Sequence, residues 1–200
     1  PCPAQGNIAT ASANAGLEAY SGGSCTCSSA GGSVAAYGSG NACDATKVVS
    51  GVLPWATLGL PEGDGWNDRY SYTVTAAYAR QPNTGNPAYC DSGLTAPSPM
   101  PANAAFALCT KGLDQIYAAA DKVVALTTAN EVPAVVVSHG DNGLGAWLGT
   151  GGQRSGAAGD EAENADGNTD FVSSSTIDDM LIWISRPILM NRMIAAGKLP

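Results

Sequence analysis

Arg69-Tyr-Ser-Tyr-Thr-Val-Thr-Ala-Ala-Tyr-Ala79 is the stretch that decides the fold. Tyr70, Tyr72, Val74 and Ala76 alternate with Arg69, Ser71, Thr73 and Thr75, and a period of two predicts a half-buried β-strand. Two further strands are predicted at Lys122 to Thr127 and Val132 to Ser138, separated by the turn-like Thr128-Ala-Asn-Glu131. Within the second, the β-branched run Val135, Val136, Val137 suits a strand covered on both faces. Met180 to Ser185 reads as another strand. Pro187 to Ala196 reads as a short helix, with proline in its first turn and Gly197 just past its end. Helices long enough for parallel crossovers are not predicted, so the fold class is α+β with an antiparallel sheet.

Upstream of the deciding strand, Gly51-Val-Leu-Pro-Trp-Ala-Thr-Leu-Gly-Leu-Pro61 holds two prolines that a paired strand does not accept, so it is expected as an irregular lead-in. Trp55 and Trp66 are expected in the core. From Gln5 to about Ser50 the residues are mostly Gly, Ser, Ala and Asn. A helix is expected between Ile8 and Tyr20, with loops elsewhere. Pro82 to Pro101 is a proline-rich surface loop. The chain reads as one domain, 1–200, in four stretches: a Cys-rich loop and helix region over 1–50, a sheet over 51–140, a Gly-rich acidic loop over 141–179, and a C-terminal strand and helix over 180–200.

Composition narrows the setting. Twenty-five glycines, 12 prolines and only 13% charged residues describe a loop-rich chain. The six cysteines, Cys2, Cys25, Cys27, Cys43, Cys90 and Cys109, accompany a single histidine, which favours three disulfides over a zinc site and so an exported, extracytoplasmic protein. Cys25-x-Cys27 is too tight for a bridge within it, so these two are expected to take different partners. Cys90 and Cys109 flank the proline-rich segment and are expected to pair, whereas the pairing among Cys2, Cys25, Cys27 and Cys43 stays open. A net charge of −8 argues against nucleic acid or an anionic membrane as partner. With no run of eighteen apolar residues, any leader or anchor is expected outside these 200 residues.

Seven of the 17 acidic residues, Asp160, Glu161, Glu163, Asp166, Asp170, Asp178 and Asp179, fall within twenty positions. Such a cluster is either solvated or neutralised by a hard cation. Asp166-Gly-Asn-Thr-Asp170 spaces oxygen-bearing side chains as the start of a calcium loop does, but Phe171 and Ile177 stand where an EF-hand needs glycine and glutamate. His139 follows Ser138, yet adjacent strand residues face opposite ways, so a Ser-His-Asp triad needs another serine brought to His139. With no G-x-S-x-G elbow either, His139 reads as structural and no catalytic residue is expected.

Several strings, in order, resemble the bacterial proteins with a prepilin-type N-terminal helix, the type IV pilins and type II secretion pseudopilins. They are Pro1-Cys2-Pro3; Gly51 to Pro61 with Asp64-Gly-Trp66 and Tyr70-Ser-Tyr72; Ser138-His-Gly-Asp-Asn-Gly143; Asp160-Glu-Ala-Glu-Asn-Ala-Asp166; and Asp178-Asp-Met-Leu-Ile-Trp-Ile-Ser185 leading to Asn191-Arg-Met-Ile-Ala-Ala-Gly-Lys-Leu-Pro200. The resemblance implies a pilin-like sheet packed on an apolar helix that precedes Pro1 and anchors the precursor in the inner membrane. It implies a non-enzymatic subunit of a helical filament, a type IV pilus or type II secretion-like pseudopilus, with other such subunits as partners at the cell surface or in the periplasm. It further implies calcium in the C-terminal loop, with Asp141, Asp166, Asp170 and Asp178 as ligands. Cys2 would then tie the head to the stem. The competing reading is a secreted adhesin or a carbohydrate- or surface-binding module using Trp147 and the Gly-rich loop.

Overall fold

The computed structural model describes residues 1–21, 24–27, 34–35, 41–42, 48–79, 90 and 106–197. The elements run β1 (Tyr20–Ser21), β2 (Ser24–Cys27), β3 (Val34–Ala35), β4 (Asn41–Ala42), β5 (Val48–Val52), α1 (Trp55–Leu58), β6 (Ser71–Thr75), α2 (Ala76–Ala79), β7 (Gly112–Leu113), β8 (Gln115–Tyr117), β9 (Glu131–Val132), β10 (Ala134–Ser138), α3 (Asp160–Ala165), β11 (Asp170–Val172), β12 (Met180–Ile184) and α4 (Arg186–Ala195). The main sheet has the order β12-β10-β6-β5-β3. Its first four strands are all antiparallel, as expected, and only the two-residue edge strand β3 joins in parallel.

Because β5, β6, β10 and β12 follow one another in chain order as a meander, their connections leave from alternate ends. Segments 53–70 and 139–179 meet at one end and 76–133 leaves from the other. The first end is where polar side chains collect.

The deciding strand is shorter than its pattern and covered on both sides. β6 stops at Thr75 and the alanines that follow turn into α2. One sheet face carries Val49, Tyr72 and Val74 and packs against the buried Cys2–Cys25 disulfide. The other carries Val135 and Val137, which pack against Ile116 of β8 and Phe171 of β11. Thr73 and Thr75 are buried there too, so the polar half of the alternation lies under a layer rather than in water.

Other expectations change. Ile8 to Tyr20 forms turns, with Gly16 at φ 67°, instead of a helix; residues 4 and 18 make bridges and β1 begins at Tyr20. The alanines there have no continuous apolar stripe to bury, so propensity alone does not hold a helix. Lys122 to Thr127 is not a strand: Lys122 adopts φ 57°, Asp121 accepts the N–H of Val123, and Ala125 contributes only a bridge to Tyr117. Pro133 divides the Val132 to Ser138 run into β9 and β10. The apolar lead-in contains the short helix α1, and β5 lies partly within the region expected as loop. The acidic loop holds α3 and β11. Trp55 is buried, whereas Trp66 is 44% exposed at a turn in which Asn67 takes φ 68°.

Cys90 bonds to Cys109 as expected, and Cys2 to Cys25. The expectations on the Cys27 side chain, on Cys43, and on most of the proline-rich loop lie outside the described residues.

Arg69, 1% exposed, clamps the N-terminal segment to this sheet. Its Nε and Nη2 donate to Glu62 at 2.9 and 2.7 Å, Nη1 donates to the carbonyls of Gly6 and Ile8 at 2.7 Å, and its guanidinium lies over the Trp55 ring at 4.6 Å. A buried cation is tolerable only with such a full set of acceptors. Replacing Arg69 by methionine leaves the Gly6 and Ile8 carbonyls without this donor and Glu62 with only the Thr10 hydroxyl, and is expected to lower the unfolding free energy by about 3–5 kcal/mol. Arg69→Lys, which lacks the planar fork, should recover little of it. Urea unfolding measures both; a loss below about 1 kcal/mol would show that the clamp is not holding the fold.

Candidate functional site

The polar end of the sheet is assembled by three segments. In the first, Asp64 Oδ1 accepts the N–H groups of Trp66 and Asp68, folding the 64–68 turn, and its Oδ2 accepts the Ser138 hydroxyl. In the second, β10 ends at Ser138, and a tight turn follows in which Gly143 N–H donates to the His139 carbonyl at 3.1 Å. Gly140 is needed there: it has φ 61°, and a Cβ would fall 2.4 Å from the Asp178 carbonyl oxygen. In the third, Asp178 and Asp179 arrive just before β12.

Ser138 and His139 do part company, as strand geometry demands. Ser138 turns to Asp64, while His139, fully buried, turns to the opposite face and meets Ser71 across the β6–β10 pair. The Ser71 Oγ to His139 Nε2 distance is 2.7 Å. On the other side of the ring, Nδ1 faces Asp179 Oδ1 at 3.9 Å, too far for a hydrogen bond, and neither atom makes another hydrogen bond of ordinary geometry. Asp179 Oδ2 accepts from Asn164 Nδ2 at 2.8 Å. Asn164, at the buried side of α3, also donates to the Val172 carbonyl and accepts its N–H, which locks α3 to β11. Thus the further serine that a triad needs is Ser71, which sequence reading placed on the polar face of its strand without giving it a partner. The available signal was the burial of that face, which alternation alone does not reveal.

Burial pushes the Asp179 carboxyl up from its ordinary 3.8 to about 6, and Glu161 and Asp178 nearby push the same way against the Asn164 hydrogen bond. Burial lowers the His139 pKa, with Asp64, Asp68, Asp178 and the Leu144 backbone opposing. At neutral pH the ring is therefore neutral. A second buried acid, Asp114, lies between β7 and β8 with neither carboxylate oxygen bonded, and burial holds its pKa well above the carboxylate range.

Ser71 also lines a cavity of about 310 Å³. Its floor is polar: Ser71, Thr73 and Ser50, the last two hydroxyls 2.8 Å apart. Trp147 and Phe171 wall it, with Gly6 and Asn7 from the N-terminal segment and Asn164 to Gly167 from the end of α3. Gly6 lies so close to the indole that a Cβ would sit 2.4 Å from Trp147 Cδ2.

The carboxylates expected to hold calcium are dispersed. Asp178 takes the backbone and side-chain N–H groups of Asn142, which also donates to Glu161. Asp166 closes a turn on Asn168. Asp170 and Glu163 share the Lys122 ammonium at 2.8 and 2.9 Å, which raises the lysine pKa. Asp141 is exposed. Among the described residues no group of three or more His, Cys, Asp or Glu side chains is placed to hold a metal. Each of these contacts is local, and a lysine and N–H groups offset part of the charge of the cluster.

The Asp179 carboxyl binds its proton more tightly in the folded than in the unfolded chain, so its contribution to stability is full below about pH 4 and is lost as pH rises through about 6. His139 runs the opposite way: its contribution is full above about 6.5 and is lost as pH falls through its lowered folded value. Asp179→Asn keeps the acceptor for Asn164 and removes the charge. It is expected to be more stable than the parent by about 1–3 kcal/mol at pH 8, with the difference vanishing near pH 4. Urea unfolding at the two pH values measures this, and a destabilised variant at pH 8 would overturn it.

Compared with protein-family models, with curated proteins and with solved structures, the chain matches no family model, no curated protein and no solved structure.

Proposed function

We propose that the chain is the globular head of an exported filament subunit of the type IV pilin or type II secretion pseudopilin kind, working through assembly. The observation that carries this reading is an uncovered apolar strip on the sheet. On the face opposite the cavity, the row Tyr72, Val136, Ile182 begins beneath the N-terminal segment and runs out to the edge strand. Tyr72 is buried and its hydroxyl donates to the Pro1 carbonyl at 3.1 Å, whereas Ile182 is 75% exposed and Met180 51%. An apolar edge strand left bare in this way is an association surface rather than a solvent face.

Its position suits the apolar helix that the pilin resemblance implies. Such a helix, joined at Pro1, would reach the strip at once, and the Cys2–Cys25 bridge, buried against Val49, Tyr72 and Val74, holds that point on the sheet. The two described disulfides also suit assembly outside the cytoplasm. Head-to-stem packing of this kind needs no cation, and the acidic segment lies at the polar end of the sheet beyond the strip.

Ile182→Asp, made in the full-length precursor in its host, is expected to reduce incorporation into filaments at least tenfold. The isolated 200-residue head carrying the same change should melt within about 2 °C of the parent, because an exposed side chain contributes little to the head itself. Normal filament incorporation by Ile182→Asp would remove the assembly reading.

A further inference from the structure

We propose that Ser71 is a nucleophile for acyl transfer, with His139 as its general base and Asp179 as the positioning residue behind the ring, acting on a small uncharged ester in the cavity beside Thr73. This goes beyond assembly and does not depend on it.

Three observations converge. The first is the order of contacts around the imidazole. With the proton on Nδ1, the Ser71 O–H donates to Nε2 at 2.7 Å while Nδ1 faces Asp179 Oδ1. These are the roles a hydroxyl nucleophile, its base and the base's orienting carboxylate take. The second is that the far pair is unfinished. Nδ1 and Oδ1, both fully buried, stand 3.9 Å apart and neither makes a hydrogen bond of ordinary geometry, although the Leu144 backbone lies close enough to the ring to favour its charged form. A shift of about 1 Å completes the relay, as is common when a site closes on its substrate. Asn164, 1% exposed, holds the carboxylate at its other oxygen and so aims Oδ1 at the ring.

The third observation is access. Ser71 is half-buried and lines the cavity, whereas His139 behind it is fully buried, so the nucleophile is reachable and the base is shielded from bulk water. The cavity selects by chemistry. Trp147 and Phe171 give an apolar wall for a short acyl chain, and Asn7 adds a side-chain amide to the lining. No lysine or arginine lines it and Asp166 does, which disfavours a carboxylate-bearing substrate. A volume of about 310 Å³ is at the small end for ligand sites.

The reaction balances without any co-reactant beyond water. Ser71 Oγ forms a bond to the ester carbonyl carbon as its proton passes to Nε2 and the carbonyl electron pair moves onto oxygen. The pair returns as the ester C–O bond breaks, and the alcohol leaves with the proton from Nε2. Water then attacks the acyl-serine, giving its proton to Nε2, which returns it to Ser71 Oγ as the carboxylic acid is released.

The test treats the 200-residue chain with a fluorophosphonate and, separately, with p-nitrophenyl acetate, followed by intact mass and peptide mapping. A single adduct on Ser71 is expected, forming faster as pH rises through one ionisation below about 6.5. Ser71→Ala should abolish it and His139→Gln should slow it by about 10²-fold or more. Asp179→Asn distinguishes positioning from packing, since it keeps the fold yet presents the wrong group to Nδ1. It is expected to melt no lower than the parent at pH 8 while labelling at least about tenfold more slowly, with an altered pH profile. No adduct on Ser71, or labelling of folded Asp179→Asn at the parent rate and pH profile, would overturn the proposal.

Discussion

The guanidinium of Arg69 is the point on which this structure turns. It sits at the start of β6 with almost no exposure, and a cation so placed must replace its lost hydration with fixed acceptors. Those acceptors come from Glu62 in the segment after β5 and from the carbonyls of Gly6 and Ile8. Arg69 also donates its backbone N–H to the Trp147 carbonyl at 2.9 Å. One residue therefore fixes the N-terminal segment, the 53–70 connection and the Gly-rich segment in mutual register. Gly6, Asn7 and Trp147, which wall the cavity, are all held by it directly or one residue away.

How the sequence encodes β6 explains what reading it recovers and what it misses. Alternation identified the strand, and β-branched runs and turn residues identified β10, β12 and α4 to within a residue or two. Alternation reports two chemically different faces but says nothing of what covers each. The polar face of β6 looked solvent-facing because Ser71 and Thr73 are polar, yet β8, β11 and α3 lie over it. Those covering elements are three to six residues long, too short for any periodic signal, and so the layer that covers Ser71 was invisible. The helix expected over 8–20 and the strand over 122–127 failed for a related reason. Each had local propensity without a continuous face to bury. The separation of Ser138 from His139 was legible because it follows from the strand pleat alone.

The acidic segment shows how charge crowding can be met by local donors. Seven carboxylates in twenty residues suggest a cation, and one is present as Lys122, held between Glu163 and Asp170. The remainder are distributed among Asn142, Asn168 and backbone N–H groups, including that of Ala120 for Asp160. Of the seven, Asp179 is drawn furthest inside and has no cationic partner at hydrogen-bond distance, and burial raises its pKa. A group carried at an energetic disadvantage beside a buried histidine is what a site requires and what a packing core avoids.

Tyr72 and Ser71 are adjacent in sequence and therefore point to opposite faces of the sheet. Tyr72 reaches Pro1 beside the apolar strip; Ser71 reaches His139 beside the cavity. Association through the strip, as proposed, would bury Ile182 and Met180 on the face opposite the cavity, so an assembled subunit would keep Ser71 open to small molecules. Conversely, the cavity is walled by Trp147 and Asn7, which the Arg69 clamp holds from the same end of β6, with no contribution from the strip. The sheet thus separates two surfaces at the thickness of one strand, and either can be altered through exposed or half-buried residues without first disturbing the clamp that supports both.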